Sequence, residues 1–159
     1  MGKFMIIISA CLCGCNCKYN GKNNKNEECV NLFKKGKAVL VCPEQLGGMT
    51  TPRPPSEIKK VEGKEYVFTN ENKDVTSNFK KGAEETLNIA KLVNAKVAIL
   101  KNGSPSCGST LIYNGKFENK KIKGEGFTAK ILRENGIKVY SEDDINEEFL
   151  ANMNKNSQI

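Results

Sequence analysis

Three cysteines each follow a stretch that predicts a β-strand. Cys11 follows Met5–Ala10, Cys42 follows Ala38–Val41, and Cys107 follows Val97–Leu100 after a short Gly/Ser/Pro turn. The carboxyl ends of parallel strands share one edge of a sheet, which is where open α/β folds bind ligands. Three thiols distant in sequence would meet there, as in a three-cysteine metal or iron–sulfur site with one open coordination position.

The alternative for these cysteines is three unrelated buried thiols, since cysteine is one of the residues most often found in protein cores. The loops around them favour a site instead. Cys42 opens a loop rich in glycine and proline, and Cys107 lies within Ser104–Gly108, which is rich in hydroxyl groups and backbone donors. Binding and catalytic residues are concentrated in loops of this kind.

Four cysteines alternate along Cys11–Cys17. Their C-x-C spacing differs from the C-x-x-C spacing of zinc ribbons and ferredoxins. In an extended loop, Cys11 and Cys15 would point one way and Cys13 and Cys17 the other. The tract alone is therefore not expected to wrap one ion, and Cys13 and Cys15 are interpreted as positions where a small apolar residue would serve.

The composition is that of a globular protein, with 38% hydrophobic and 27% charged residues among 159. At this length a single domain is expected over residues 1–151, followed by a frayed tail at 152–159. The net charge of +7 suits phosphate-bearing or nucleic-acid partners. The simpler interpretation is that scattered lysines keep the surface solvated.

The chain contains no histidine, which excludes Ser–His and Cys–His catalysis and His-ligated zinc sites. General acid–base catalysis would then have to use carboxylates, lysine, tyrosine, cysteine or water. No signal peptide is visible and no apolar run approaches the ~18 residues of a membrane span, so a cytoplasmic location without membrane contact is expected. Seven cysteines in that compartment indicate metal binding or catalysis rather than disulfides.

Hydrophobic periodicity predicts the elements that must position the three thiols. Strands are predicted at residues 4–9, 38–41, 96–101 and 137–140, with a small edge strand or hairpin arm at 63–69. A hairpin is predicted at 110–123 with its turn at Tyr113–Lys116, and helices are predicted at 27–35, 78–94, 126–135 and from Ser141 to about 151. Alternation of strands and helices predicts a three-layer α/β domain with a mostly parallel, Rossmann-like sheet. The thiol site would lie at the carboxyl edge of its strands.

Two long loops are predicted, at residues 11–24 and 43–58. Prolines and glycines in the second argue against regular structure there. Its length and its position directly after Cys42 favour a functional role.

Local signals also predict how the helices begin and which side chains they bury. Thr76 or Ser77 is expected to cap the long helix, and Ser141 with Asp144 forms a capping-box pattern at the start of the last one. The inner face of the first helix is predicted to be Cys29, Leu32 and Phe33.

Six motifs occur in order along the chain. They are Ser9-Ala10-Cys11-Leu12-x-Gly14, Cys17-Lys18-Tyr19-Asn20-Gly21, Cys42-Pro43-Glu44-x-Leu46-Gly47-Gly48, Pro52-Arg53-x-Pro55-x-Glu57, Asp74-Val75-Thr76 and Ser104-Pro105-Ser106-Cys107-Gly108. Together they resemble the TudS-like thiouracil/4-thiouridine desulfidase family, long catalogued as a domain of unknown function. The similarity covers about residues 5–147.

The resemblance implies a 4Fe–4S cluster held by Cys11, Cys42 and Cys107, with the fourth iron open to the sulfur of a thiolated pyrimidine. It also implies a non-redox reaction of hydrolase type, in which the thiocarbonyl becomes a carbonyl and sulfide is released. The implied substrates are 4-thio-UMP and free thiouracil. The implied partners are such a small molecule and the iron–sulfur assembly machinery, while RNA binding is not expected.

Glu44 and Ser104 match the family's proposed catalytic acid/base and polar helper. In a chain without histidine, a carboxylate two residues past Cys42 is also the natural base to activate water. The alternative for Glu44 is a structural carboxylate that caps backbone N–H groups of its own loop. Ser104 and Ser106 can orient a substrate oxygen or stabilise charge on the ring, or alternatively stabilise the turn around the proline between them.

Five residues are predicted to bind substrate. They are Ser9, Gly47, Gly48, Arg53 and Ser106. The two glycines permit close backbone approach to a ligand, although Gly-Gly is often only a turn. Arg53 stands between two prolines and can pair with a phosphate; the alternative is a salt bridge to Glu57.

Three other classes of function compete with this interpretation. A non-catalytic iron–sulfur or zinc-binding module would use the same thiols, with Cys13 as a fourth zinc ligand. An RNA-binding protein would suit the positive charge, but the sequence has no aromatic-rich RNP-type motif and no basic helix. A thiol redox protein would require C-x-x-C after a strand, which is absent.

Overall fold

The computed structural model describes residues 5–156, which form eight strands and five helices. In chain order these are β1 (Ile6–Ser9), α1 (Glu27–Lys34), β2 (Ala38–Val41), α2 (Pro43–Leu46), β3 (Ser56–Val61), β4 (Lys64–Thr69), α3 (Thr76–Leu92), β5 (Val97–Leu100), β6 (Leu111–Tyr113), β7 (Lys121–Lys123), α4 (Phe127–Glu134), β8 (Lys138–Ser141) and α5 (Glu147–Asn156). Short 3₁₀ turns occupy Ala10–Cys13 and Glu142–Asp144. The first residue of the strand predicted at 4–9 lies outside the described residues.

Four strands form a parallel sheet in the order β2-β1-β5-β8. Because successive strand side chains point to opposite faces, Ile6 and Ile8 pack against α1 and α5, whereas Ile7 packs against α3 and α4. The predicted three-layer α/β domain with a mostly parallel sheet is confirmed. Among the described residues, no helix is both long and apolar enough to span a membrane.

Two antiparallel hairpins, β3–β4 and β6–β7, lie outside the central sheet. A separate apolar cluster attaches them to the helical layer. Its buried members are Ile58, Val67, Val75, Phe79 and Ile112. This packing fixes both hairpins relative to α3, and residues from both reach the cavity described below.

The prediction that 43–58 is irregular is wrong at both ends. Pro43 begins the short helix α2, because proline suits the first helical turn, where its missing N–H costs no hydrogen bond. Ser56 begins β3, which pairs with β4, so the strand predicted at 63–69 is one arm of a hairpin. Within 43–58, only residues 47–55, between α2 and β3, lie outside helices and strands.

The predicted bounds of three other segments change. α3 begins at Thr76, two residues earlier than predicted, and neither Thr76 nor Ser77 caps it. The capping box of Ser141 caps the start of a 3₁₀ turn, and the last helix begins only at Glu147. That helix continues to Asn156, beyond the predicted end at about 151, and residues 157–159 lie outside the described part of the chain.

The inner face of α1 is predicted correctly at two of three positions. Cys29 and Leu32 are buried against the sheet, as the helical pattern indicates. Phe33 is 44% exposed, so its assignment to the core is wrong. The helix follows a narrow apolar stripe, and the adjacent position Phe33 falls outside it.

Asp74 stabilises the start of α3, and this gives a testable prediction. Its Oδ1 accepts hydrogen bonds from the backbone N–H of Thr76 at 2.9 Å and from the Thr76 hydroxyl at 2.5 Å. Asp74→Ala should lower the free energy of unfolding by about 1 kcal/mol at pH 7, measured by urea denaturation. Ser77→Ala is the matched control, with an expected change within about 0.5 kcal/mol.

The effect of Asp74 should depend on pH. The hydrogen bonds from Thr76 lower the pKa of the Asp74 carboxyl below its usual value. The stabilisation is therefore present above the unfolded-state pKa and is lost as the pH falls through the lower folded-state pKa. A difference between wild type and Asp74→Ala that stays constant down to strongly acidic pH would contradict this role.

Candidate functional site

A cavity of about 600 Å³ opens at the carboxyl edge of the central sheet. Cys11, Cys42 and Cys107 all line it. Burial raises the pKa of the Cys107 thiol, and negative charge on Cys11 or Cys42 raises it further, so the three thiols influence one another electrostatically. The structure thus brings together the three thiols that the strand pattern predicts to meet.

A fourth cysteine, Cys17, lies in the same cavity wall, and its carbonyl oxygen accepts a hydrogen bond from the Cys42 thiol at 3.8 Å. Hydrogen bonding by the neighbouring Cys17 thiol lowers the pKa of Cys42 to about 7 and also lowers the pKa of Cys11. The predicted opposite orientation of Cys11 and Cys17 is therefore wrong. The tract is not extended, because a 3₁₀ turn at Ala10–Cys13 and a left-handed Gly14 with φ 92° reverse the chain.

The other three cysteines do not line the cavity. Cys13 is partly buried beside the apolar cluster that contains Cys29, and burial raises the pKa of both thiols. Cys15 is exposed, so its interpretation as an apolar filler is wrong. Within residues 5–156, no three cysteine, aspartate or glutamate side chains converge closely enough to share a single metal ion.

Burial and a hydrogen bond from Ser9 both act on the Cys107 thiol. Burial raises the pKa of its thiol, and a hydrogen bond from the Ser9 hydroxyl acts in the opposite direction. The Ser9 oxygen also accepts from the backbone N–H of Lys101 at 3.0 Å. Ser9 therefore links the sulfur to the ends of two neighbouring strands.

The loop that carries Cys107 is anchored on the first turn of α4. The carbonyl oxygens of Pro105 and Ser106 accept hydrogen bonds from the otherwise unpaired N–H groups of Phe127 and Thr128, at 3.0 and 2.9 Å. The hydroxyls of Ser106 and Thr128 are 2.8 Å apart and both residues are buried. Ser106 thus ties the loop to the helix.

Ser104 lines the cavity beside Cys107. Its hydroxyl oxygen accepts from the backbone N–H groups of Ser106 and Cys107 at 3.1 and 3.0 Å. A hydroxyl has two acceptor lone pairs and one donor. With both lone pairs engaged, the Ser104 hydroxyl can serve a cavity ligand as a hydrogen-bond donor.

Glu44 and Arg53 form a partly buried ion pair in the cavity wall, with 2.5 Å between Arg53 Nε and Glu44 Oε2. The guanidinium also donates to the carbonyl of Thr50, to the hydroxyl of Thr51 and to the carbonyl of Cys17. Arg53 therefore joins the Glu44 turn to the Cys17 loop. It makes this pair instead of the alternative salt bridge to Glu57.

The helix α2, which carries Glu44, is pressed against α3 through two glycines. A Cβ on Gly47 would lie 2.0 Å from the Asn78 carbonyl oxygen, and one on Gly82 would lie 1.9 Å from the Pro43 carbonyl oxygen. Only glycine fits at this contact. The Asn78 side chain adds a 2.9 Å hydrogen bond to the Gly47 carbonyl, so the position of Glu44 is set by α3.

The cavity wall contains most of the predicted site residues. They are Ser9, Cys11, Cys42, Glu44, Arg53, Ser104 and Cys107. Gly47, Gly48 and Ser106 do not line it. Their substrate-binding role stays a prediction, and the packing of Gly47 and Ser106 described above gives those two a structural role.

Sequence reasoning missed several residues that line the cavity. Cys17, Glu57, Tyr113, Phe117 and Asn119 all do so. Cys17 and Glu57 belong to the six ordered motifs, which was a usable signal, whereas the β6–β7 residues follow no spacing rule relative to the cysteines. Their place depends on how the hairpin packs.

A sequence model of the 2-thiouracil desulfurase family matches residues 6–144. The chain belongs to this family. It is 45% identical over 149 residues to the uncharacterized protein YbbK of Bacillus subtilis (strain 168), a match that covers 90% of this chain and 99% of YbbK. The family assignment confirms the resemblance that the six motifs indicate.

A solved structure of a [4Fe-4S]-dependent thiouracil desulfidase, TudS, is also similar to this family member. The TM-score is 0.85 with 44% identity, and the match covers 94% of this chain and 97% of TudS. The family model and the similarity to TudS support a desulfidase enzyme acting on thiouracil, and TudS supports a 4Fe–4S cofactor.

The residues present fit such a cofactor. Iron–sulfur clusters are held by cysteine thiolates, and three thiols from separate segments line one cavity here. The ligands of a four-iron cluster bind separate iron atoms, so they surround the cluster rather than meet at one point.

Proposed function

We propose that this chain is a desulfidase of hydrolase type that converts a thiolated pyrimidine and water into the corresponding oxo-pyrimidine and sulfide. Cys11, Cys42 and Cys107 would hold a 4Fe–4S cluster, which would supply an iron to bind the substrate sulfur and make the ring carbon more electrophilic. The observation that carries this proposal is that these three thiols line one cavity together with Glu44 and Ser104.

The proposed role of Glu44 is to activate water. One carboxylate oxygen is fixed by Arg53 at 2.5 Å, which leaves the other oxygen to accept a proton from a water molecule in the cavity. The water oxygen adds to the ring carbon that carries sulfur, and the carbon–sulfur bond breaks. Glu44 passes its proton to the departing sulfur, so sulfide leaves with both protons of the water. No electrons are gained or lost overall.

The proposed role of Ser104 is to donate a hydrogen bond. Its two acceptor positions are occupied by backbone N–H groups, so its hydroxyl proton is available to substrate. Negative charge builds on the ring as water adds, and a fixed donor stabilises that charge. Ser9, which hydrogen-bonds to Cys107, would act on the ligand thiol rather than on substrate.

The cavity volume of about 600 Å³ suits a nucleotide as well as a free base. Lys18 lies in its wall and supplies positive charge for a phosphate, whereas the Lys101 ammonium is paired with Glu142 at 3.2 Å. The proposed substrates are therefore 4-thio-UMP and thiouracil. The proposal includes a cytoplasmic location and cluster delivery by iron–sulfur assembly proteins, supported by seven free thiols.

The test is sulfide release from 4-thio-UMP and 4-thiouracil by protein reconstituted anaerobically with iron and sulfide. Loss of the thione absorbance should accompany one sulfide per oxo-pyrimidine formed, with no added electron donor. Cluster-free protein is the control and should release none. A protein that carries the cluster but releases no sulfide from either compound would overturn the substrate class, and zinc binding in place of iron would favour a zinc module.

A further inference from the structure

Glu57 is a buried carboxylate that the proposed reaction does not use. It lies on β3, is 8% exposed, and lines the cavity. Its Oε1 accepts hydrogen bonds from the backbone N–H of Gly115 at 2.9 Å and from that of Phe117 at 3.3 Å. The carboxylate therefore reaches across to the connection between β6 and β7.

That connection, residues 114–120, has a backbone conformation that needs external support. Phe117 and Asn119 have φ of 54° and 57°, in the left-handed region that bulky side chains rarely adopt. Gly115 has φ of 86° and lies against β3, where a Cβ would be 2.5 Å from the carbonyl oxygen of Ile58. The two hydrogen bonds to Glu57 compensate for this unfavourable geometry at its centre.

The supported loop carries part of the cavity wall. Phe117 and Asn119 both line the cavity, and so does Tyr113 at the start of the loop. An aromatic ring beside an amide suits a planar heterocycle, because the ring can stack on its face and the amide can bond to its polar edge. None of these three residues belongs to a segment that carries a cysteine of the site.

Arg53, the nearest arginine in the chain, does not form an ion pair with Glu57. The Arg53 guanidinium bonds to Glu44 and to groups of residues 17, 50 and 51. Glu57, four residues later, directs its charge to backbone N–H groups of the loop instead.

We propose that Glu57 is a positioning residue that holds Phe117 and Asn119 in the cavity wall as the binding surface for the pyrimidine ring. This inference deepens the proposed function and rests on it for the identity of the ring. Glu57 touches neither substrate nor cluster in this assignment and acts through the loop.

The kinetic test compares Glu57→Ala, Glu57→Gln and Phe117→Ala in the reconstituted holoenzyme with 4-thio-UMP. Glu57→Ala and Phe117→Ala should each raise KM about tenfold, the size expected for one lost stacking contact, with a much smaller change in kcat. Glu57→Gln should rescue binding, because its amide oxygen can accept the same two hydrogen bonds. Glu65→Ala, on the neighbouring strand β4, is the matched control.

Trypsin cleavage supplies a readout that does not depend on turnover. Lys116 and Lys120 lie in the loop, so cleavage there reports how often the loop leaves its place. Glu57→Ala should be cut about tenfold faster than wild type, while Glu57→Gln should be cut at the wild-type rate. At a concentration near the wild-type KM, 4-thio-UMP should slow cleavage of wild type several times more than cleavage of Glu57→Ala.

These measurements separate the positioning role from the proposed function. Ligand-dependent protection that requires Glu57, in a holoenzyme that releases no sulfide, supports the positioning role and overturns the desulfidase activity. Sulfide release with an unchanged KM and unchanged cleavage in Glu57→Ala overturns the positioning role alone. A Glu57→Gln variant as impaired as Glu57→Ala also overturns it, because the acceptor geometry would then be irrelevant.

Discussion

Glu44→Gln is expected to retain its 4Fe–4S cluster and to lose about 10²–10⁴-fold in kcat for 4-thio-UMP. The substituted amide keeps the shape of the side chain and an oxygen that can accept the hydrogen bond from Arg53 Nε. It cannot take a proton from water at neutral pH, so only the proposed base function is removed. Cluster content is measured by iron and sulfide analysis, and kcat by loss of thione absorbance.

Glu85→Gln is the matched control for this experiment. It makes the same charge change on the exposed surface of α3 and should leave kcat unchanged. A Glu44→Gln enzyme with wild-type kcat would contradict the assignment of Glu44 as base. The carboxylate would then serve only to pair with Arg53 and hold the turn that follows Cys42.

Cys107→Ala is expected to abolish stable cluster binding and, with it, sulfide release. The residue is 6% exposed, its loop is anchored on α4, and removal of its sulfur leaves two of the three proposed ligands. Alanine is smaller and apolar, so it fits the buried position and the fold should persist. Iron content and absorbance near 400 nm after anaerobic reconstitution measure the loss, and circular dichroism checks the fold.

Cys15→Ala is the matched control for the cysteine experiment. Cys15 is exposed and does not line the cavity, so the variant should bind iron like wild type. If Cys107→Ala also binds a complete cluster, the proposed ligand set is wrong, and Cys17 becomes the candidate third ligand because it lines the same cavity as Cys11 and Cys42.

The layered architecture and the meeting of three thiols follow from the amino-acid sequence alone. Short apolar runs such as Ile6–Ile8 predict buried parallel strands, and the ends of parallel strands must share an edge. Cys11 and Cys42 directly follow such strands, so the strand pattern is enough to predict that they approach each other. The six ordered motifs added the family, which the comparisons confirm.

Local patterns were less informative where a tertiary contact overrides them. Asn114-Gly115 predicts a tight hairpin turn, but the backbone of Gly115 bonds to Glu57 from a position 58 residues earlier in the chain, and the connection spans residues 114–120. Alternation in the cysteine tract predicts opposite orientations for Cys11 and Cys17, but the backbone turns back at Gly14.

The contacts that support the site depend on tertiary packing. Arg53 pairs with Glu44 and also bonds to the carbonyl of Cys17, 36 residues away, and Gly47 and Gly82 let α2 approach α3. Hydrophobic periodicity reports which residues are buried, because burial repeats with the period of a helix or strand. It carries no information on which distant polar groups become partners, because each such pair depends on how whole elements pack.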